Sequence, residues 1–409
     1  MGKNNILNDP VSGFIRISND LILELIDHPY FQRLRRIKQL GLTDLVFPGA
    51  THTRFQHTLG AFQLMNESIE ILKSKGVKIT DKEDFAVKVA ILLHDIGHGP
   101  FSHTFENTLI KDVLHEEISL VLMKELNKHF KGKLDLAIKI FQDKYERKFF
   151  HQLISSQLDV DRLDYLRRDS FYSGVSEGIV GSERIIRMMN VVEDNLVIEK
   201  KGIYSIENFL RARSFMYWQV YLHKTVIGAE KLLVKIFERA IELAKQGIEL
   251  NLNSNIEFFI TNEVKVSDFK NQQILNNFIS LDDADILLSI KRWVSHDDKI
   301  LSVLSRNFLE RKLFKVEISI NPFNKNRVNE IKEILMKDFE IEEKLTNYFV
   351  FTDFIQNLMY DFSGSNISVM IDNDNVVDIS EASSGINLSA MSKINQRYYL
   401  CYPKNIKVK

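Results

Sequence analysis

The stretch that decides this fold is Ala90-Ile91-Leu92-Leu93-His94-Asp95-Ile96-Gly97-His98-Gly99-Pro100-Phe101-Ser102-His103. A helix that is apolar on all sides is buried, and Ala90 to Leu93 reads that way. The sequence predicts a helix over Asp84 to Asp95, ended by Gly97 and Gly99-Pro100. A charge at the end of such a helix is costly unless something neutralises it, and a divalent cation does so. Successive helical residues point about 100° apart. A terminal His-Asp pair can therefore fill two adjacent corners of one coordination sphere.

Two distant residues complete a set. His57 lies in Arg54-Phe55-Gln56-His57-Thr58-Leu59-Gly60, and Asp161 lies in Asp159-Val160-Asp161-Arg162-Leu163-Asp164-Tyr165. Two imidazoles with two carboxylates make a mixed, fairly hard donor set. It suits six-coordinate Fe, Mn, Co or Ni, and admits Zn or Mg. Such a cation can polarise a phosphoryl oxygen and lower the pKa of a bound water. The bland alternative makes His57 and His94 core histidines and the aspartates helix caps. It must then explain five histidines between positions 52 and 103 beside one apolar helix.

Composition narrows the class. The chain has 409 residues, 44% hydrophobic and 27% charged, as in ordinary globular proteins, and a net charge of -1 that sets up no global attraction to nucleic acid. The single cysteine, Cys401, excludes an intrachain disulfide and a cysteine-based zinc site, and agrees with a reducing cytoplasm. The polar start carries no signal-peptide pattern, and no apolar stretch is long enough for a membrane span.

Few prolines and glycines favour long helices, and the fold class is expected to be mainly α. Helices are expected over Asp20 to Leu40 (stopped by Gly41), Phe55 to Lys75, His115 to Phe130, Gln152 to Arg168, Ile206 to Tyr221 and Thr225 to Gln246. A short strand is expected at Phe14 to Ile17. After about Lys315 the pattern turns to strands at Phe314–Ile320, Asn347–Thr352, Ile367–Ile371 and Tyr398–Tyr402, with a helix at Asn326–Met336. This divides the chain into a core over 1–315 and a smaller α+β lobe over 316–409, with a regulatory or oligomerising role expected for the lobe.

The order His57, His94-Asp95, Asp161 resembles the H…HD…D signature of the HD-domain phosphohydrolases. Longer strings bring the resemblance closer to the deoxynucleoside triphosphate triphosphohydrolases. These are Phe31-Gln32-Arg33-Leu34-Arg35-Arg36-Ile37-Lys38-Gln39-Leu40-Gly41, Val46-Phe47-Pro48-Gly49-Ala50, His94 to His103 and Val160 to Asp169. Similarity runs from about Asp9 to about Lys315. It implies an HD-domain helical core and hydrolysis of a dNTP to deoxynucleoside and inorganic triphosphate. It also implies one divalent metal ion held by His57, His94, Asp95 and Asp161, and a homo-oligomer, dimer or tetramer.

The resemblance marks His98, His103 and His115 as catalytic, with His103 as general acid to the departing 5′-oxygen. Histidine suits the task because its pKa lies near working pH. Glu116 could orient one imidazole. Asp161, Tyr165 and Asp169 recur every four residues and share a helix face. There Tyr165 would pack on the sugar, leaving little room for a 2′-hydroxyl, and Asp169 would accept from the 3′-hydroxyl. Gln39 and Leu40 line the sugar pocket by resemblance. Arg213, Tyr217, Tyr221 and Lys224 also fall on one helix face, a cationic stripe with tyrosines suited to a triphosphate. By resemblance Arg213 and Lys224 hold phosphates, Tyr221 lies near the nucleoside and Arg54 reaches the α-phosphate.

Relatives of this kind are assembled by a guanine nucleotide, and Asp27, Gln32 and Arg35 match the residues that read guanine. Arg311 and Lys315 match the pair contributed by a neighbouring subunit. A GTP or dGTP effector follows from the resemblance. The lysine expected near the start of this motif is not present; Asn5 falls about there and Lys3 is close. Two other functions compete: an HD-domain nucleotidase or phosphodiesterase acting on another phosphate ester, and a nucleotide- or nucleic-acid-binding protein with a vestigial metal site.

Overall fold

The computed structural model describes residues 5–110, 112–357, 366–372, 375–385 and 395–407, without the side chains of His103, Asn107, Ser254 and Asn357. The architecture is mainly α, with three small sheets. At its centre the long helix Arg54–Ser74 packs against both Asp81–Leu93 and Val160–Ser173. Leu59, Phe62, Met65 and Ile69 are all buried, as their helical spacing requires. Each such side chain contributes roughly 1.5–3 kcal/mol of burial free energy.

The ends of these helices are fixed by local chemistry. Gln56 Oε1 accepts from the Thr53 backbone N–H at 2.8 Å. Thr80 and Glu83 close a reciprocal capping box at the start of Asp81–Leu93. That helix begins three residues before the expected Asp84 because Thr80 supplies the cap. Gly60 is required where helices cross: a Cβ there would lie 2.1 Å from Arg168 Nη2 and from Asp164 Oδ1.

The expected helix from Asp20 to Leu40 is broken. It ends at Asp27, and His28 is extended (φ -64°, ψ 139°) because Pro29 follows it. A short Pro29–Gln32 turn and a 3-10 turn, Arg33–Arg36, come next. Lys38 then bridges Thr53 in an antiparallel contact. Gly41, at φ 51°, serves a turn instead of a helix stop. The expected Gln152–Arg168 helix is also split: Phe149–Gln152 is a single turn, and Val160–Ser173 starts afresh with Asp159 accepting from the Arg162 N–H. Gly174 closes it in the left-handed region.

The helix Ile203–Met216 passes into a π-helical turn, Tyr217–Tyr221. A new helix, Lys224–Lys245, is capped by the His223 ring. Strand β1 (Asn5–Asp9) pairs antiparallel with β2 (Gly13–Ile17). Strands β3 (Met189–Val192) and β4 (Asn195–Glu199) form a second hairpin. Strand β5 (Lys315–Ser319) and β6 (Phe351–Asn357) flank β9 (Asn395–Tyr402) in an antiparallel sheet. The helix Lys325–Phe339 lies between β5 and β6 in sequence. Strand β7 (Ser368–Asp372) runs parallel to β4, with Ile198 opposite Val369, and β8 (Asn375–Asp378) closes that sheet. Late residues therefore hydrogen-bond to a hairpin from the middle of the chain. No helix among the described residues is long and apolar enough to cross a membrane.

Candidate active site

The three central helices deliver their ends to one point. His57 sits on the first turn of Arg54–Ser74, His94 and Asp95 follow the apolar helix, and Asp161 sits on the first turn of Val160–Ser173. One ligand atom each from His57, His94 and Asp161 lies within 4.8 Å of the others. His57 Nε2 is 2.9 Å from Asp161 Oδ1 and 3.8 Å from Asp95 Oδ2. His94 Nε2 is 3.4 Å from both Asp95 Oδ1 and Asp161 Oδ1.

The ring orientations favour a cation. His94 Nδ1 donates to the Ile91 carbonyl at 2.6 Å, and His57 Nδ1 faces Asp164 Oδ2 at 2.9 Å. Each Nε2 is thereby turned inward, buried, and faces carboxylate oxygens without a well-aligned hydrogen bond. Buried polar atoms are seldom left unmatched. Two such imidazole nitrogens aimed at carboxylates fit a divalent ion. Burial opposes a charge on His57, yet Asp161 and Asp164 outweigh it and lift the ring to about 10. Burial likewise opposes ionisation of Asp161, and His57 and His94 overcome it, holding that carboxyl well below its usual range. A divalent ion held by these residues would take the place of the imidazole proton in this balance.

Beside this centre lies a second group, not fully legible in the sequence. His98 and His115 stack, with ring centroids 3.7 Å apart. Glu106 Oε1 sits 3.0 Å from His98 Nδ1 and 3.6 Å from His115 Nδ1. Glu116 reaches His115 Nε2 at 3.4 Å but is mostly exposed. Burial, Arg54 and His115 depress the His98 ring to about 4. His98 Nε2 also lies 3.4 Å from Asp95 Oδ1, and Asp95, His98 and His115 form a further cluster of metal-compatible ligands. His103 opens the short helix His103–Thr108, and its side chain lies outside the described residues.

The HD domain pattern matches residues 54–169, and the HD associated region matches 180–255. The chain is 33% identical to the Bacillus subtilis protein YwfO, across 99% of this chain and 94% of that one. A crystal structure of a phosphohydrolase from Bacteroides thetaiotaomicron superposes with a TM-score of 0.95 at 52% identity, covering 98% of this chain and all of that one. The chain belongs to the HD-domain phosphohydrolases. Within them it is similar to the Dictyostelium discoideum deoxynucleoside triphosphate triphosphohydrolase SAMHD1 homolog, 32% identical over 267 residues. That match takes in 61% of this chain and 52% of the Dictyostelium protein, so the chain spans about half the length of that relative.

The HD-domain centre opens onto a wall of aromatic and polar groups. Tyr165 lies 6.5 Å from the His57 ring and 6.3 Å from Tyr221. Asp169 accepts from Tyr221 Oη at 2.7 Å and from His52 Nε2 at 2.8 Å. His52, one of the five clustered histidines but given no role from the sequence, is buried and stacked 4.5 Å from Tyr172. Gln39 Oε1 is buried without a partner, and Leu40 packs partly buried against the core. Arg54 donates to Asp95 Oδ2 at 2.6 Å and, through Nη2, to Ser102 Oγ at 2.8 Å. Arg213 is buried, and its Nε and Nη1 make no hydrogen bond.

The single helix face expected for Arg213, Tyr217, Tyr221 and Lys224 is not continuous. Arg213 is on one helix, the tyrosines bound the π turn, and exposed Lys224 opens the next helix. The turn at His223 causes the break, since its extended backbone and ring cap start a new helix.

The residues matched to an effector site fall in two places. Asp27 is exposed at the end of Asp20–Asp27; Gln32 Nε2 donates to the Ile26 carbonyl, and Arg35 Nε donates to Gln32 Oε1, each at 2.8 Å. Arg35 also stacks 3.6 Å over Phe55. Arg311 donates to the Leu45 carbonyl, and Lys315 lies over Tyr402. Among the described residues no hydrogen bond or ion pair joins the two groups within one chain. Lys3 lies outside the described residues.

Proposed function

We propose that this HD-domain phosphohydrolase cleaves deoxynucleoside triphosphates to deoxynucleoside and inorganic triphosphate. The observation that carries the reading is the convergence of the buried Nε2 atoms of His57 and His94 on the Asp95 and Asp161 carboxylates, beside a wall of Tyr165, Asp169 and Tyr221. Similarity to the Dictyostelium triphosphohydrolase homolog supports the substrate class.

His57, His94, Asp95 and Asp161 hold one divalent ion, of Fe, Mn, Co, Ni, Zn or Mg character. When bound it supplies Lewis acidity toward a phosphoryl oxygen and acidifies water. Arg54 fixes the Asp95 carboxylate and presents a cation to the α-phosphate. Arg213, with unspent buried donors, takes a phosphate oxygen, and Lys224 adds charge at the exposed end. Tyr165 packs on the sugar and leaves little room for a 2′-hydroxyl, Gln39 and Leu40 line its pocket, and Asp169 accepts from its 3′-hydroxyl. His98 and His115, bridged by Glu106, form the proton-handling pair next to Asp95. His103 donates the proton to the departing 5′-oxygen, and Glu116 steadies His115.

Asp27, Gln32 and Arg35 of one subunit, with Arg311 and Lys315 of another, take a guanine nucleotide, GTP or dGTP, that joins subunits into a dimer or tetramer. Residues 316–409 contribute to that assembly or its regulation. The site belongs to a cytoplasmic enzyme. Metal-reconstituted protein incubated with each dNTP, alone and with GTP, tests the reading by product separation. Triphosphate and deoxynucleoside are expected. Monophosphate would instead indicate a nucleotidase or phosphodiesterase, and equal rates without GTP would remove the effector. His103→Ala should abolish turnover while the ion stays bound.

A further inference from the structure

The loop after the metal pair is held in a conformation it would not adopt alone. Phe101 (φ 50°) and Ser102 (φ 40°) have positive φ without being glycine. Such residues persist only where their surroundings over-determine them, and they gather at functional sites. Both are buried, and His103 follows at once as the first residue of its helix.

The restraint comes from a helix start about 180 residues away in sequence. Asp283 Oδ1 accepts the Phe101 backbone N–H at 3.0 Å, and Asp283 Oδ2 accepts the Lys38 backbone N–H at 2.9 Å. Lys38 immediately precedes Gln39 and Leu40. One carboxylate therefore ties the loop bearing the active-site histidines to the segment assigned to the sugar. Neighbouring contacts reinforce the same junction. Buried Arg33 donates to the His98 carbonyl at 2.6 Å and to the Leu281 carbonyl at 3.1 Å, and Arg36 pairs with Asp282. From the other side Arg54 holds Ser102 Oγ.

Asp283 is 6% exposed, and no side-chain salt bridge or hydrogen bond to a cation is made by it among the described residues. Burial lifts its carboxyl to about 6, against the pull of the two backbone N–H groups. A buried carboxylate that accepts from backbone amides of two different segments fixes the distance between them.

We propose that Asp283 is a positioning residue, whose two oxygens set the spacing between the His98–His103 loop and the Gln39–Leu40 edge of the substrate cleft. It rests on the triphosphohydrolase reading for its kinetic consequence and on geometry alone for its structural one. Asp283→Asn keeps the shape and one acceptor but presents an N–H₂ to the second amide. Asp283→Ala removes both acceptors.

The test compares full-length wild type, Asp283→Asn and Asp283→Ala, with bound metal measured in each. Turnover per bound ion should fall about tenfold in the Asn variant and about a hundredfold in the Ala variant, since an ångström of misplacement costs on that order. The preference for dNTP over the matching rNTP should fall as well. A merely structural role would lower melting temperature and metal content while leaving turnover per bound ion and sugar preference at wild-type values; that result would overturn the proposal. Amide exchange is read in parallel at residues 37–40 and 97–102. Joint loss of protection at both segments in Asp283→Asn supports the tie, even if wild type hydrolyses no dNTP and the substrate reading fails. Unchanged exchange, or loss at one segment only, overturns it. If Asp283→Ala does not fold, the isosteric Asn variant decides.

Discussion

His57 Nδ1 lies 2.9 Å from Asp164 Oδ2, and this contact determines which ring nitrogen faces the metal position. Asp164 is fully buried and is itself gripped by Arg168, whose Nε is 2.8 Å from the same oxygen. Burial would raise the Asp164 carboxyl, but Arg168 and His57 hold it down at about 2. It therefore accepts, Nδ1 donates, and Nε2 is left as the ligand. Arg168 continues the chain to Asp9 at the end of β1, with Nη1 2.8 Å from Asp9 Oδ2. The N-terminal hairpin thus buttresses His57, a proposed metal ligand, through Arg168 and Asp164.

Asp164→Ala should weaken metal binding by about 10- to 100-fold, the usual effect of removing a carboxylate that orients a ligating histidine. Titration of the metal-free protein with Mn or Zn, read by bound-ion content, measures it. Affinity equal to wild type would mean that packing alone orients the ring.

Glu106 bridges two stacked imidazoles, and Glu106→Gln should keep the metal but reduce turnover about 10²-fold, within the range for a disrupted general acid-base group. Both contacts are made by the one oxygen Glu106 Oε1, which an amide keeps, but glutamine removes the negative charge beside the two rings, so the pH profile should change along with the rate. Steady-state kinetics from pH 5 to pH 9 would check both; a variant altered only in thermal stability would assign Glu106 to packing.

How legible were these features beforehand? The convergence of His57, His94, Asp95 and Asp161 was, because a His-Asp pair at the end of an apolar helix has a physical cost that demands an explanation. Asp164 and Arg168 stood in the quoted string at helical spacing from Asp161, yet the reading stopped at the ligands. Glu106 carried no local signal: its role arises from the fold bringing His98 and His115 together. The break at Pro29 was available from the rule for residues preceding proline. The interruption between Arg213 and Lys224 was not, since the extended His223 that breaks the helix stands among Tyr221, Leu222 and Lys224 with no glycine or proline to mark it. The late strand β7 joins β4 across some 170 positions, a pairing that local pattern does not specify.

Arg213 is buried with two guanidinium nitrogens unmatched, an arrangement that costs stability unless a ligand completes it. Arg213→Ala should lower kcat/KM by roughly 10- to 100-fold, from the loss of charge-assisted hydrogen bonds worth about 1.5–3 kcal/mol. The loss should appear mainly in KM, and the variant should melt no lower than wild type without substrate. Arg213→Lys should recover little, because a lysine cannot reproduce the planar fork. Kinetics over a dNTP concentration series, with melting curves, would separate this from a purely structural arginine.

Glu83 offers a pH test. Burial alone would raise its carboxyl, but the Thr80 N–H and hydroxyl, the Arg147 guanidinium and the Tyr145 hydroxyl pull it from 4.5 down to about 2. The folded state therefore favours the ionised acid. Its stabilisation is fully present above pH 4.5 and is lost as pH falls toward 2. Glu83→Gln should be less stable than wild type at neutral pH, because Arg147 loses its charged partner. Its stability should also fall less steeply between pH 4.5 and 2, so that the two curves converge at the acid end. Urea unfolding at stepped pH measures the difference directly. Parallel curves through that window would show that the carboxylate is not held below its ordinary value by the fold, and that the capping box acts through shape alone.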